Sequence, residues 1–512
     1  MKRLNLVLIL SICMMWSCSD QETSISDPEL VTPKQTVIPK SEIDQYVVDQ
    51  IEQNGNFEWK QVSDLMLWSA LVHTNSVVTV GYQPSGELEV GRSLHELNLQ
   101  NEEWIEAKNS VLEDVIEMNN IRSDKQLLTE DVLLASHEVL PYFEVRINDI
   151  SIINELRNRP DVRYVEPSDY ALDAQIASAK VASDAGCSNG PDYSLNSSDY
   201  TVISPNAKQS WNYSYANIPQ AWSYSTGNNI GVGLIDTGIS PDQSKLNSSF
   251  NSGYSSGRYI HKYGTYVSSW WWWASPDGPD DECGHGTAMA GAIAAPRSNS
   301  GSSVGVAYNC DLIAVRGTGD VVINGGKEIT GVSDALVLLG NRSDVKIISM
   351  SIGDLFSHSK VKDAVRYAYG KGKLIFAAAG TSTSFTNWAG VIFPANMSET
   401  VAVTGVKTSG YQRCDICHSG SKVDFTAVME RASDDRHPLS LAMSGSQPST
   451  VGGSSVATAT TAGIAALVWG SNPGMSRSQV MQRLKNAADI YPSRNSQYGW
   501  GNIDALVAVR GY

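Results

Sequence analysis

Positive charge is scarce: 38 lysines and arginines stand against 54 aspartates and glutamates in 512 residues, a formal net charge of −16. Such a surface repels polyanions, which excludes nucleic acid and an anionic membrane surface as partners. The apolar run in "MKRLNLVLILSICMMWSC" is about a dozen residues, too short to span a bilayer comfortably. No second cysteine pair accompanies "CDICH" (Cys414 to His418), so zinc and haem are weak readings beside a local disulfide or plain surface thiols. What is abundant is length and apolar content. With 42% hydrophobic residues the chain can bury a large core, and 512 residues are too many for one ordinary domain.

A basic start, a short apolar core and a small residue before Cys18 read as an export signal over residues 1–18. The ending "MWSC" resembles a bacterial lipoprotein signal, which implies lipidation of Cys18 and attachment to a membrane by that anchor alone. An ordinary cleaved signal, giving a secreted protein, is the other reading. Residues 19–40 are polar and without period, a tether.

Residues 41–172 alternate differently. "SVVTVGY" is β-rich, and "EEWIEAKNSVLEDVIEMN" spaces Trp104, Ile105, Val111, Leu112, Val115 and Ile116 as one helix face does. Two strands broken near Pro141, a helix starting after Asp149 and the strand "VRYVEP" follow. Strand, helix, two strands, helix, strand is the split βαβ pattern of a small α+β domain. It holds no chemical constellation. The Ser-, Asn- and Asp-rich stretch 173–210 reads as a linker.

From 211 to 512, short apolar runs such as "NIGVGLIDTG", "CDLIAVRG", "VKIISMSIG" and "GKLIFAAAG" alternate with helical stretches. Continuous apolar strands are buried on both faces, which predicts a doubly wound, mostly parallel α/β domain with ligands beyond the carboxyl ends of its strands. Asp236 closes one such strand. His285 in "GHGTAMAGAIAA" and Ser455 in "GGSSVATATTAGIAALV" each open a small-residue helix. A carboxylate, an imidazole and a hydroxyl are what nucleophilic acyl transfer needs. The order Asp, His, Ser argues against an α/β-hydrolase esterase, in which the serine comes first.

With "DTG", "GHGT" and "SMSIG", this domain resembles the subtilisin-like serine endopeptidases, and the "YVEP" end of the preceding domain resembles their propeptide. The resemblance implies peptide or protein substrates, no required cofactor, and an N-terminal domain that acts as an intramolecular inhibitor until the linker is cut. It assigns Ser455 as nucleophile over its neighbour Ser454. It places Ser351, Ile352 and Gly353 along the substrate strand, with a second segment in "RGTGDVV". Ala378, Ala379 and Gly380 line the pocket for the residue before the scissile bond, and Asp354 beside Gly353 is either a selector for a basic residue or an exposed turn. The oxyanion donors are the Ser455 backbone N–H and residue 381, where the family's asparagine is replaced by Thr381. That replacement keeps a second reading open, a weak or inactive protein of the same fold that binds without cutting. The resemblance also leaves open a structural calcium near Asp242 and Asn299. Cys283 and Cys310 flank the histidine helix and its following strand, where a disulfide between them is expected. The run Trp270 to Trp273 falls in the loop before His285, as a substrate wall, a contact for the N-terminal domain, or packing.

Overall fold

Strands with aliphatic side chains on both faces need helices above and below, and the core is built on that requirement. The computed structural model describes residues 36–87, 89–173, 187, 189–269, 275–323, 325–380 and 390–511. The signal with Cys18, residues 174–186 of the linker, Trp270 to Trp273 and Thr381 lie outside the described residues.

The N-terminal module comprises α1 (Lys40–Asn54), β1 (Val77–Tyr82), α2 (Glu102–Ile121), β2 (Leu133–Ser136), β3 (Tyr142–Arg146), α3 (Ile150–Asn158) and β4 (Val162–Pro167), with shorter helices between. Its antiparallel sheet has the order β2-β3-β1-β4, the split βαβ topology expected from the pattern. On α2 the inward face is Trp104, Val111, Leu112 and Val115, while Ile105 turns to solvent. Asp149 caps α3 by accepting from Ser151 N.

The linker reading is corrected for residues 189–210. They include a hairpin of β5 (Tyr200–Ile203) and β6 (Ala207–Ser210) that lies against the large domain. The polar side chains there serve specific pairs rather than solvation: Asp192 with Arg436 at 3.2 Å, and Asp199 with both Arg431 and Arg436.

The large domain carries a sheet of β7 (Gly231–Asp236), β8 (Ile260–Gly264), β9 (Asp311–Arg316), β10 (Val345–Met350), β11 (Leu374–Ala378), β12 (Thr400–Lys407) and β13 (Phe425–Glu430). All neighbours are parallel, in the order β13-β12-β11-β10-β7-β9-β8. From β7 the chain goes to β8 at one edge and returns to β9 between them, whereas from β10 it runs outward the other way through β11, β12 and β13, so β7 and β10 flank the topological switch point. There the carboxyl ends of the strands open a crevice. On the faces lie α4 (His285–Ala294), α5 (Gly326–Asn341), α6 (Ser359–Gly370) and α7 (Gly453–Ser471).

One hydrophobic cluster runs from Ile43 and Trp59 of the module through Leu156 and Tyr170 into Ile329, Val332, Val361 and Val365 of α5 and α6. Polar contacts rim this shared core. Arg163 grips Asp363 with both nitrogens at 2.7 and 2.9 Å, Lys362 meets Glu58 at 2.5 Å, and Lys360 meets Glu144. The module also caps the large domain's helices: Glu166 accepts from Ser359 N and Oγ at the start of α6, and Asp169 from Gly326 N at the start of α5. Carboxylates there satisfy orphan N–H groups and complement the helix dipole. Because Asp363 is buried, Arg163→Ala in the full chain leaves its charge uncompensated and should cost about 3–5 kcal/mol. A denaturation midpoint corresponding to less than 1 kcal/mol of loss would contradict this.

Candidate active site

Asp236, the last residue of β7, is 1% exposed, and His285, the first of α4, is 4% exposed. His285 Nδ1 lies 2.7 Å from Asp236 Oδ1, which also accepts from Thr237 N at 2.8 Å. Burial pulls the imidazole pKa down, but the Asp236 charge and hydrogen bond, with Asp281 beyond, outweigh it and leave it raised. The backbone makes the pair possible. Gly284 sits at φ 93°, and a β-carbon on Gly286 would collide with the Gly238 carbonyl that crosses it.

Asp281 is the residue that motif reading missed. Its Oδ1 accepts from Thr237 Oγ1, Cys283 N and Gly284 N at 2.9, 3.0 and 2.7 Å, and its Oδ2 from Thr287 N and Oγ1 at 2.9 and 2.7 Å. This buried carboxylate at the mouth of α4 ties the β7 turn to the histidine turn. Its position four residues before His285 in "DECGH" was the available signal.

Ser455 stands in the first turn of α7, 7% exposed, with Oγ 3.5 Å from Ser351 O, while Ser351 Oγ donates to Ser455 O at 2.9 Å. Among the described residues the Ser455 hydroxyl donates to this carbonyl rather than to His285. Ser454 is committed elsewhere: its Oγ donates to Gly380 O at 2.7 Å and touches Thr404 Oγ1 at 3.2 Å. Helices α4 and α7 pack together behind the site, which their alanines and glycines allow.

Ser351, Ile352 and Gly353 continue β10 beyond the sheet, and Ala378, Ala379 and Gly380 end β11 beside them. The "RGTGDVV" segment borders the first of these, with Val322 bridging Gly353 and Ile323 N donating to Gly353 O at 2.9 Å. Asp354 is neither a basic-residue selector nor an exposed turn. It is 2% exposed, and its Oδ2 faces His358 Nε2 at 2.6 Å.

The expected Cys283–Cys310 bridge is not formed. Cys283 pairs with Cys187, 96 residues earlier, and Cys310 is a buried free thiol. The arm from residue 187 docks beside the histidine turn, with Met443 N donating to Asn189 O at 3.4 Å, and brings its own cysteine there. Cys414 and Cys417 bond to each other, and His418 Nδ1 lies 2.9 Å from Gly390 O, which removes the metal reading of "CDICH". Asp242 and Asn299 are both exposed. Two residues before Asn299, Arg297 donates Nε to Ser204 O at 2.7 Å and lies over Trp222, Tyr254 and Tyr308, while Asn206 Nδ2 donates to the Asn299 carbonyl at 3.2 Å. A fixed guanidinium and a donor amide do not make a calcium cage.

Residues 227–501 match the Subtilase family (peptidase S8), more than half of the chain. The chain belongs to this family. It is 28% identical over 402 residues to the minor extracellular protease Epr of Bacillus subtilis (strain 168), covering 78% of this chain and 54% of that protein, so it spans about half of Epr's length. It is 30% identical over 287 residues to subtilisin Savinase of Lederbergia lenta, covering 56% of this chain and 92% of Savinase. Among solved structures, MycP1 from the ESX-1 type VII secretion system is 20% identical with TM-score 0.46, covering 61% of this chain and 88% of that one. The α/β fold of the large domain is the one expected of a subtilisin-like member of this family.

A raised His285 pKa means the neutral base is lost early on acidification, so the acid limb of kcat/KM should lie above the ordinary imidazole value near 6.5. In Asp236→Asn only burial and the weaker Asp281 field remain. The limb should move to lower pH and kcat should fall by about 10⁴. A pH–rate profile of both proteins checks this, and an unmoved limb would contradict it.

Proposed function

We propose that this subtilase is an exported serine endopeptidase made as a self-inhibited precursor, cutting peptide bonds through Asp236, His285 and Ser455. The observation that carries the reading is the buried 2.7 Å contact between His285 and Asp236 at the switch point where Ser455 opens its helix. Rotation of the Ser455 hydroxyl from Ser351 O toward His285 Nε2 lets the imidazole take its proton as Oγ attacks the carbonyl carbon. Asp236 holds Nδ1–H and stabilises the imidazolium. The Ser455 N–H, at a helix N-terminus, and Thr381 donate to the developing oxyanion. The imidazolium then protonates the departing amine, and water, activated by the same histidine, releases the acyl group from Ser455.

The N-terminal module serves as inhibitor by covering α5 and α6, and processing falls within 174–186. Through Asp173 the chain after Glu166 is held by α1: Tyr170 Oη donates to Asp44 Oδ1 at 2.7 Å, and Lys40 Nζ to Ala171 O at 2.8 Å. A cut before Cys187 leaves the module held only by its non-covalent contacts, while the disulfide keeps the new N-terminus beside His285. Export fits the N-terminal signal and a relative named as extracellular; anchoring is assigned to Cys18. No helix among the described residues is long and apolar enough to cross a membrane. The second reading, an inactive binder, draws on Thr381 in the asparagine position.

Ser455→Ala should abolish casein hydrolysis and labelling by a fluorophosphonate, while Ser454→Ala keeps most of both. Persistent labelling of Ser455→Ala would show the wrong nucleophile, and an unlabelled wild type would favour the binder. A fatty-acid analogue fed to producing cells should tag wild type and not Cys18→Ala; an untagged wild type means ordinary secretion.

A further inference from the structure

The turn from Cys414 to His418 takes no part in acyl transfer, yet it folds against the end of β11. Cys414 N donates to Gly405 O of β12 at 3.2 Å, and a β-carbon on Gly405 would collide with Cys417 Sγ, so the turn sits flush on that strand. The Cys414–Cys417 bridge closes the turn, and Thr404 Oγ1, one residue before Gly405, donates to His418 O. His418 is thereby delivered to the place where β11 ends, with only 1% of its surface exposed.

There it binds the two residues that flank 381–389. Its backbone N–H donates to Gly380 O at 3.1 Å, and its ring Nδ1 lies 2.9 Å from Gly390 O. A carbonyl only accepts, so Nδ1 carries the proton. Burial pushes the imidazole pKa down to about 4, against the pull of the Gly390 bond, and the ring is neutral near pH 7. Nε2 has no hydrogen-bond partner among the described residues, which leaves Nδ1–H as the ring's polar tie. The ring also lies on the bare face of Gly380, at φ 129°, where a β-carbon would collide with Nδ1. Gly380 O accepts in addition from Ser454 Oγ at 2.7 Å, and that hydroxyl touches Thr404 Oγ1 at 3.2 Å. One carbonyl thus joins His418, the end of β11 and the residue next to Ser455.

We propose that His418 is a positioning residue for acyl transfer, fixing through Gly380 and Gly390 where the chain leaves β11 and where it returns beside the serine turn. This rests on the peptidase reading above, in which Thr381, the residue after Gly380, and the Ser455 N–H donate to the oxyanion. Such donors stabilise developing charge only if they are held in place before it develops. The threonine hydroxyl is one bond closer to its backbone than an asparagine amide nitrogen is. It cannot compensate for a displaced backbone by reaching further, so the position of Gly380 matters more. Loss of Nδ1–H leaves the Gly390 carbonyl without that donor and releases one of the two flanks. His418 itself touches neither the nucleophile nor the imidazole, and acts through the backbone alone.

The test compares wild type, His418→Leu and His418→Asn in the full chain after maturation, with fluorescein-labelled casein as substrate. Leucine keeps bulk and removes the donor, whereas asparagine carries an amide N–H at the distance of Nδ1 from the backbone. Fluorophosphonate labelling taken to completion counts competent Ser455, and kcat is expressed per labelled site, so a partly unfolded preparation does not lower it. Outright loss of an oxyanion donor costs about 10²–10³ in kcat, and His418→Leu should lose about 10-fold or more. KM should stay within about 3-fold of wild type, and His418→Asn should recover kcat to within about 3-fold. The acid limb of kcat/KM, set by His285, should not move in either variant. An unchanged kcat in His418→Leu, a loss confined to KM, or an asparagine variant no better than leucine overturns the proposal. Should His418→Leu not fold, His418→Ala takes its place under the same criteria. If neither folds, His418→Asn decides: kcat within about 3-fold of wild type supports the role, and a loss of about 10-fold or more overturns it. A wild type that labels and cleaves while the variants match it defeats this inference alone. A wild type that neither labels nor cleaves defeats the peptidase reading and this inference with it.

Discussion

The contact between Asp236 and His285 is the constraint around which the large domain is arranged. Two ionisable groups are held almost wholly out of water at 2.7 Å, an arrangement that is costly unless other bonds fix the geometry. They do: Asp281 gathers the β7 turn and the histidine turn with five hydrogen bonds, and glycines 284 and 286 allow the backbone approach. Small-residue helices α4 and α7 then pack closely enough to bring Ser455 to the same crevice. The parallel sheet supplies the crevice because its strand order reverses between β7 and β10.

The N-terminal module is bound to this arrangement through its helices rather than through the cleft. Glu166 and Asp169 cap α6 and α5, the helices that cover one face of the strands ending at the site. The shared core and the buried Arg163–Asp363 pair make module and large domain one packed body over residues 37–512. On the other side, the Cys187–Cys283 bridge fastens the chain that follows the linker to the turn preceding His285. The catalytic turn is thus held by local hydrogen bonds from within and by a covalent tie from outside.

Much of this was legible because it is periodic or local. The parallel strands showed as apolar runs ending in glycine or polar turns, and the split βαβ module as alternating periods. The three candidate catalytic residues stand at strand and helix ends, where sequence order and small neighbours mark them. What escaped was set by distance along the chain or by burial of polar residues. Cys283 finds a partner 96 residues away that only the docked arm delivers. Asp192 and Asp199 look like linker solvation until Arg431 and Arg436 are brought opposite them. Asp354 looked like an exposed turn because its buried partner, His358, is visible only once the segment is folded inward. His418 looked like part of a weak zinc or haem motif because the carbonyls it meets, those of Gly380 and Gly390, come from a distant stretch of chain.

The central claim, a serine peptidase that matures by its own Ser455, is tested most directly by purifying wild type and Ser455→Ala and following their masses and N-termini over time. The account predicts that wild type alone cuts itself within 174–186, and that casein hydrolysis rises as the cut accumulates. A wild type that stays intact yet digests casein freely would contradict self-inhibition. One that cuts neither itself nor casein would contradict the peptidase assignment.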